Sequence, residues 1–222
     1  MGFESLKAPP LQTPSPSSHT AQGNLQKVNQ WHKHFLHVKQ CSSMSLSGSD
    51  ARIASGWKNK GDELFEKGDF EGAIGCYDKA LEIFPRDPDL WNKRGLALNE
   101  LRRYEEAIKS YDKALEHYPR ETIVWNNKGV ALDNAGNHIE AIRCFDAVID
   151  IDPQDAGAWC NKGVSFGLLG WLNESVECFE TAIDINPHHA SSWYNKGITL
   201  LKLKHNIEAN DAIARARELG FR

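Results

Sequence analysis

Three histidines lie close together near the start of the chain, at His32, His34 and His37. Imidazole nitrogens bind zinc and other transition metals, but a metal site needs three or four ligands held in a fixed geometry by neighbouring groups. The segment around these histidines supplies no such support, and the chain has neither a paired-cysteine motif nor an HExxH helix. We therefore expect no metal ion and no cofactor.

The cysteines are the second group of side chains that could do chemistry. Three of the five, Cys76, Cys144 and Cys178, recur at one fixed interval or its double, which indicates a shared packing position rather than a nucleophile. An odd number of cysteines without a secretory leader predicts free thiols in a reducing, cytoplasmic compartment. Because the chain also lacks a nucleophile elbow and a phosphate-binding glycine loop, we expect that it is not an enzyme.

The same interval, about 34 residues, runs through the whole chain from residue 50 onward. Each of five tryptophans is followed four residues later by a glycine, and prolines recur in the same register. The residues are Trp57, Trp91, Trp125, Trp159 and Trp193, then Gly61, Gly95, Gly129, Gly163 and Gly197, and Pro85, Pro119, Pro153 and Pro187. Self-similarity at a fixed period indicates a repeat architecture.

Each repeat holds two patterns of helical periodicity. The first, from Trp57 to Lys67 in the first repeat, places apolar or small residues on one helix face. A polar break with glycine follows, and the second pattern ends at the proline, which lacks the N–H that a helix needs. The repeats span residues 54–87, 88–121, 122–155, 156–189 and 190–222.

The order Trp, Gly, Ala, aromatic, Ala and Pro at this spacing resembles the tetratricopeptide repeat, and the resemblance covers residues 54–222. It implies an all-α, right-handed α-solenoid of five helix-turn-helix hairpins. One hairpin cannot bury its apolar face alone, so the five must stack. The resemblance also implies that the first helices line a concave groove.

Residues 1–49 have a different composition from the repeats. Their Pro- and Ser-rich stretches, 8–18 and 41–49, cannot bury enough apolar surface to offset the entropy of ordering them. Between these stretches, residues 24–40 have apolar residues at helical spacing. We expect a largely disordered tail with a short amphipathic helix, either loose or docked on the repeats.

The charge of the chain bears on its partners. Five of its 26 basic residues and two of its 30 acidic residues precede residue 54, so the repeats carry 21 and 28, a net charge of −7. This balance repels phosphate, and no apolar run is long enough to span a bilayer, so we expect neither nucleic acid nor membrane as a partner. Asn210 and Arg217 replace aliphatic residues of the earlier second helices. The last helix should therefore cap the array and keep the protein monomeric in isolation.

Family geometry gives candidate residues for the wall of the groove. In the fifth and ninth positions of the repeats, charged and polar side chains such as Asp62 and Asn92 give way to apolar ones toward the C-terminus. The candidate peptide-binding residues are Asn59, Asn92, Lys93, Asn126, Asn127, Asn161, Val164, Tyr194, Asn195 and Ile198. Exposed apolar surface of this kind marks interaction sites.

The sixth position of the repeats is asparagine in four of five cases, with Lys93 in the second repeat. Similar asparagine ladders line the helical repeats of O-linked N-acetylglucosamine transferase, where they grip the backbone of an extended peptide. An amide has donors and an acceptor, so it can pair with any peptide group. The alternative is that these asparagines hold the helices together, and the sequence leaves both interpretations open.

A basic residue precedes the glycine of each repeat, at Lys60, Arg94, Lys128, Lys162 and Lys196, and four of the second helices carry an acid. One interpretation is that each base pairs with the acid of its own repeat across the hairpin. The other is that the stems pack and the charged heads stay in water.

Two classes of function remain. The first is an interaction module or adaptor that binds a peptide or a partner protein in the concave groove. The second is a non-catalytic tetratricopeptide portion or subunit of a larger enzyme, such as a glycosyltransferase or a signalling protein.

Overall fold

The computed structural model describes residues 48–221, and this part of the chain forms ten α-helices without a β-strand. Residues 1–47 of the predicted tail, with its possible helix at 24–40 and the three histidines, lie outside the described residues. Its last two residues, Gly48 and Ser49, belong to the first helix. We number the helices α1 Gly48–Glu66, α2 Phe70–Ile83, α3 Pro88–Glu100, α4 Tyr104–His117, α5 Thr122–Asn134, α6 His138–Ile151, α7 Ala156–Leu169, α8 Leu172–Ile185, α9 Ala190–Lys202 and α10 Asn206–Glu218.

Consecutive helices pack against each other in chain order, so α1 and α2 form the first hairpin and α9 and α10 the fifth. We call α1, α3, α5, α7 and α9 the inner helices and the others the outer helices. From α3 onward, inner helices of neighbouring hairpins also contact each other directly. The inner helices therefore form a continuous surface, which we call the groove. The predicted all-α solenoid of helical hairpins is confirmed. None of the helices in residues 48–221 is long and apolar enough to cross a membrane.

Glycine in each inner helix lets an outer helix approach closely. A Cβ atom built on Gly129 would lie 2.6 Å from a ring carbon of Phe145, and Gly95 faces Tyr111 in the same way. These rings are almost completely buried. The aromatic ring lies where a side chain would otherwise stand, so the glycine sets the spacing of the two helices.

The turns between elements follow from local chemistry. Asp87 caps α3 by accepting hydrogen bonds from the backbone N–H groups of Asp89 and Leu90, and Pro88 occupies the first turn, where no N–H is needed. Within each hairpin the turn has one residue with positive φ. Three of these are glycines, whereas Arg102 and Lys204 adopt the same left-handed conformation with side chains.

Tryptophan and proline connect one hairpin to the next. The indole N–H of Trp125 donates to the carbonyl oxygen of Pro119 at 2.9 Å, and the same bond recurs from Trp91, Trp159 and Trp193. The proline ends one hairpin and the tryptophan begins the next. The two residues therefore tie the turn between hairpins to the following inner helix.

Ion pairs cross the same junctions, and each base pairs with the acid of the preceding repeat. Lys162 Nζ lies 2.6 Å from Asp146 of the preceding hairpin, and Lys128 lies 2.6 Å from Asp112. The other two junctions pair Arg94 with Asp78 and Lys196 with Glu180. The interpretation that each base pairs within its own repeat is therefore wrong. An inner helix turns this edge toward the preceding outer helix, because its own outer helix packs against the glycine.

We expect Gly129→Ala to destabilise the protein by about 1–3 kcal/mol, because the added methyl group has no space beside Phe145. Gly75→Ala is the matched control. Gly75 is exposed within α2, with nothing within 4 Å of its added Cβ, so the change should be neutral or slightly stabilising. Urea unfolding of both variants measures the difference. Equal stability of the two would contradict the packing argument.

A double-mutant cycle tests the register of the ion pairs. Lys162→Met and Asp146→Asn should show a coupling energy of about 0.5–1 kcal/mol, because the pair is only partly screened by water. Lys162→Met combined with Glu180→Gln, the acid of its own hairpin, should be additive within about 0.3–0.5 kcal/mol. A stronger coupling of Lys162 to Glu180 than to Asp146 would support pairing within one repeat instead.

Candidate peptide-binding groove

The fifth, sixth and ninth residues of each repeat lie on the groove because the inner helices present one face in common. Of the ten predicted site residues, Asn59 in α1 is exposed, and the other nine are half-buried along α3, α5, α7 and α9. The structure therefore brings these nine onto neighbouring inner helices. It also shows contacts between them that the sequence did not reveal.

A line of polar contacts runs across the inner helices. The Asn127 amide donates to Asn92 Oδ1 at 2.9 Å, and the Asn161 amide donates to Asn126 Oδ1 at 2.8 Å. In both pairs the sixth residue of one repeat contacts the fifth residue of the repeat before it. The asparagines thus join neighbouring inner helices, which is the packing role that the sequence left open.

The same asparagines keep unused hydrogen-bonding groups. Each of Asn127 and Asn161 uses one of its two amide hydrogens on its neighbour. The second N–H and the side-chain oxygen make no hydrogen bond to the described residues, and neither is left buried without a partner. A ligand's peptide group can use a donor and an acceptor of this kind. Packing and ligand binding are therefore compatible at these positions.

Charged residues replace the asparagines between the first two hairpins. Lys58 contacts Asp89 at 2.5 Å, and Lys93 Nζ lies 3.1 Å from Asp62. The hydrogen bond to Asp89 raises the pKa of Lys58 above its ordinary value. The Tyr77 hydroxyl donates to Asp62 at 2.8 Å, beside a cavity of about 180 Å³. Both charged pairs join α1 to α3, so Lys93 takes the place of the missing asparagine.

The opposite end of the groove is apolar. Val164 and Ile198 lie on neighbouring helices, and Leu168 and Leu201 beside them are 56% and 40% exposed. Tyr194 is stacked on Phe221 with 4.4 Å between ring centroids. The predicted change from a charged to an apolar wall is thus seen along the inner helices.

One contact set that the sequence did not indicate joins Ser165, Asp133 and His138. Ser165 Oγ donates to Asp133 Oδ2 at 2.6 Å, and His138 Nδ1 lies 2.9 Å from Asp133 Oδ1. In a nucleophile–base pair the hydroxyl would face the imidazole, whereas here both groups face the carboxylate. Ser165 is fully buried. The set joins α5, α6 and α7 and has the geometry of a structural contact.

The described cysteines are buried free thiols. Burial raises the pKa of Cys144 and of Cys178 to about 11, so both are protonated at neutral pH, and burial also raises the pKa of Cys160. A protonated, buried thiol is a poor nucleophile. Within residues 48–221, no group of three or more His, Cys, Asp or Glu side chains could hold a metal ion.

The stacked hairpins and their shared groove define a helical-repeat solenoid. Sequence models described as tetratricopeptide repeat match residues 58–122, 100–156, 156–189 and 178–209. Together they cover more than half of the chain. The chain therefore belongs to the tetratricopeptide-repeat family. Comparison with curated protein sequences gives no significant match.

Solved structures share this fold at low sequence identity. MamA from Desulfovibrio magneticus RS-1 is 22% identical with a TM-score of 0.68, over 75% of this chain and 94% of the MamA chain. PilF from Pseudomonas aeruginosa is 20% identical with a TM-score of 0.68, over 78% and 79% of the two chains. YrrB, described as a TPR protein with an unusual peptide-binding site, is 22% identical with a TM-score of 0.58, over 74% and 84%.

We expect Asn161→Ala to lower the free energy of unfolding by about 0.5–1.5 kcal/mol, because it removes the hydrogen bond to Asn126. Asn59→Ala is the matched control. Asn59 holds the same position in the first repeat, is exposed and makes no side-chain hydrogen bond to a described residue. Both changes raise helix propensity equally, so the difference between their urea midpoints isolates the hydrogen bond. An Asn161→Ala variant as stable as Asn59→Ala would contradict the packing role.

Proposed function

We propose that the protein is a non-catalytic interaction module, and that it binds an extended segment of a partner protein in the groove. Stacked helical hairpins present long surfaces to other proteins, and this is how solenoids of the class act. The observation that carries the proposal is the apolar end of the groove, where large aliphatic side chains stand partly exposed beside free amide groups.

The apolar side chains form a row rather than scattered points. The ninth position is apolar in four successive repeats, at Leu96, Val130, Val164 and Ile198, and all four are only half-buried on the inner helices. A surface of this kind gains free energy of about 25 cal/mol for each Å² that a partner covers. The asparagines beside the row can bind the partner's peptide groups. The combination suits a segment that offers both side chains and backbone.

We further propose that the module acts as a monomer in a reducing, cytoplasmic compartment. The free, buried thiols support the compartment. Two end surfaces support the monomer. In α1, exposed Glu63 occupies the place of Ala97 and Ala131, which are fully buried at internal junctions. In α10, Ala214 stands where the other outer helices carry the acid that holds the next hairpin. Neither end surface therefore suits the stacking of a second copy of this chain.

The test is selection of binders from a random dodecapeptide library with the full chain, followed by affinity measurement on the selected peptides. Leu168→Asp should weaken binding about tenfold or more, because it removes an aliphatic contact worth about 1.5–3 kcal/mol and adds a charge. Ile207→Asp is the matched control, since Ile207 is 80% exposed on the outer helix α10. It should leave affinity unchanged.

Fluorescence polarisation gives the dissociation constants, and circular dichroism shows whether each variant is folded. Peptides that lose affinity equally with both variants would point to the outer helices as the binding surface. Failure to select any peptide would count against the groove as a peptide site.

A further inference from the structure

A pocket of about 120 Å³ opens into the groove between α7 and α9. Phe179 of the outer helix α8 forms part of its lining, and Val164, Leu168 and Ile198 line it from the inner helices. Its volume approaches the roughly 150 Å³ of an apolar cavity that holds one benzene molecule. The pocket is therefore large enough to hold one aliphatic side chain.

Gly167 is part of the lining of this pocket and leaves space open there. Gly167 occupies the twelfth position of its repeat, where the other four carry Phe65, Asn99, Asp133 and Leu201. A Cβ atom on Gly167 would lie 3.2 Å from Ser175 Oγ, so even a methyl group would narrow the pocket. A larger side chain at position 167 would therefore fill part of the pocket.

Four polar side chains also line the pocket. The hydroxyls of Ser175 and Thr199 donate to backbone carbonyl oxygens, which leaves Asn195 and Lys202 for a ligand. Asn195 donates to Cys160 Sγ at 3.8 Å, a weak bond compared with the N–H···O bonds of Asn127 and Asn161. The Asn195 amide is therefore more available to a ligand than the amides of Asn127 and Asn161. Lys202 is exposed and forms no ion pair with any described residue. It is also the basic side chain that lines the pocket.

We propose that this pocket binds a single aliphatic side chain, leucine, isoleucine or methionine, from a segment of a partner protein, and that Lys202 binds an acidic side chain next to it. Asn195 binds the peptide group between the two. The inference rests on the proposed function and adds the chemistry of the partner. Residues 24–40 of this chain carry lysines and no acid, so a segment of that composition lacks the charge that Lys202 requires.

The experiment uses the full chain and the random dodecapeptide library. Selected peptides should share an aliphatic residue with Asp or Glu within two positions of it. Lys202→Glu should change the selected flanking residue from acidic to basic and weaken the original peptides about tenfold. Because Lys202 is exposed, this substitution does not threaten folding.

Gly167→Val should close the pocket and weaken the same peptides about tenfold, while Gly75→Val, at an exposed helical glycine with open space around it, should not. Two results would overturn this inference but leave the groove as the binding site. One is that the peptides require Leu168 but share no aliphatic and acidic pair. The other is that the selected flanking residue does not change with Lys202→Glu. Peptides that are insensitive to Leu168→Asp would overturn the proposed function as well.

Discussion

The contact between an outer helix and the inner helix of the next hairpin is the interaction on which the solenoid depends. A single two-helix unit has too little interior to be stable alone, so its second apolar face must be covered by a neighbour. In this protein a few polar contacts at the edge of the interface hold the neighbouring hairpin in place. Trp125 donates to Pro119, and Lys128 pairs with Asp112. The Lys128 ammonium also lies 5.2 Å from the Trp125 ring centroid.

This junction has a consequence for the groove. From α3 onward, the base, the tryptophan and the glycine of each inner helix contact the outer helices. Most residues at the fifth and sixth positions join inner helix to inner helix. The ninth, twelfth and thirteenth positions differ more between repeats, and some of their polar groups also join helices, as Asp62 and Asp133 do. The thirteenth position ranges from Glu66 to Lys202, and the twelfth from Phe65 to Gly167. The residues that distinguish one part of the groove from another therefore lie at these three positions.

The repeat period was enough to predict the helices from residue 54 onward and their pairing into hairpins, because the same pattern recurs in each repeat. It did not predict that the first helix begins at Gly48, before the first repeat. The register of the ion pairs was not predictable in this way. Asp78 lies nearly midway between Lys60 and Arg94 in the chain, and both spacings join an inner to an outer helix. Only the packing of Gly61 on Tyr77 decides which edge is free. In a repeating sequence, a partner in the same repeat and a partner in the neighbouring repeat lie almost the same number of residues away.

The polar contacts along the groove escaped prediction for a related reason. Asn127 and Asn92 are 35 residues apart, one more than the period, so the pair joins different positions of adjacent repeats. A comparison of equivalent positions shows a column of asparagines but not their partners. The pocket beside Gly167 is harder still to predict, since residues from three helices line it. The regular part of the sequence therefore reveals the scaffold. Departures from the repeat pattern mark the positions at which the groove can distinguish one partner side chain from another.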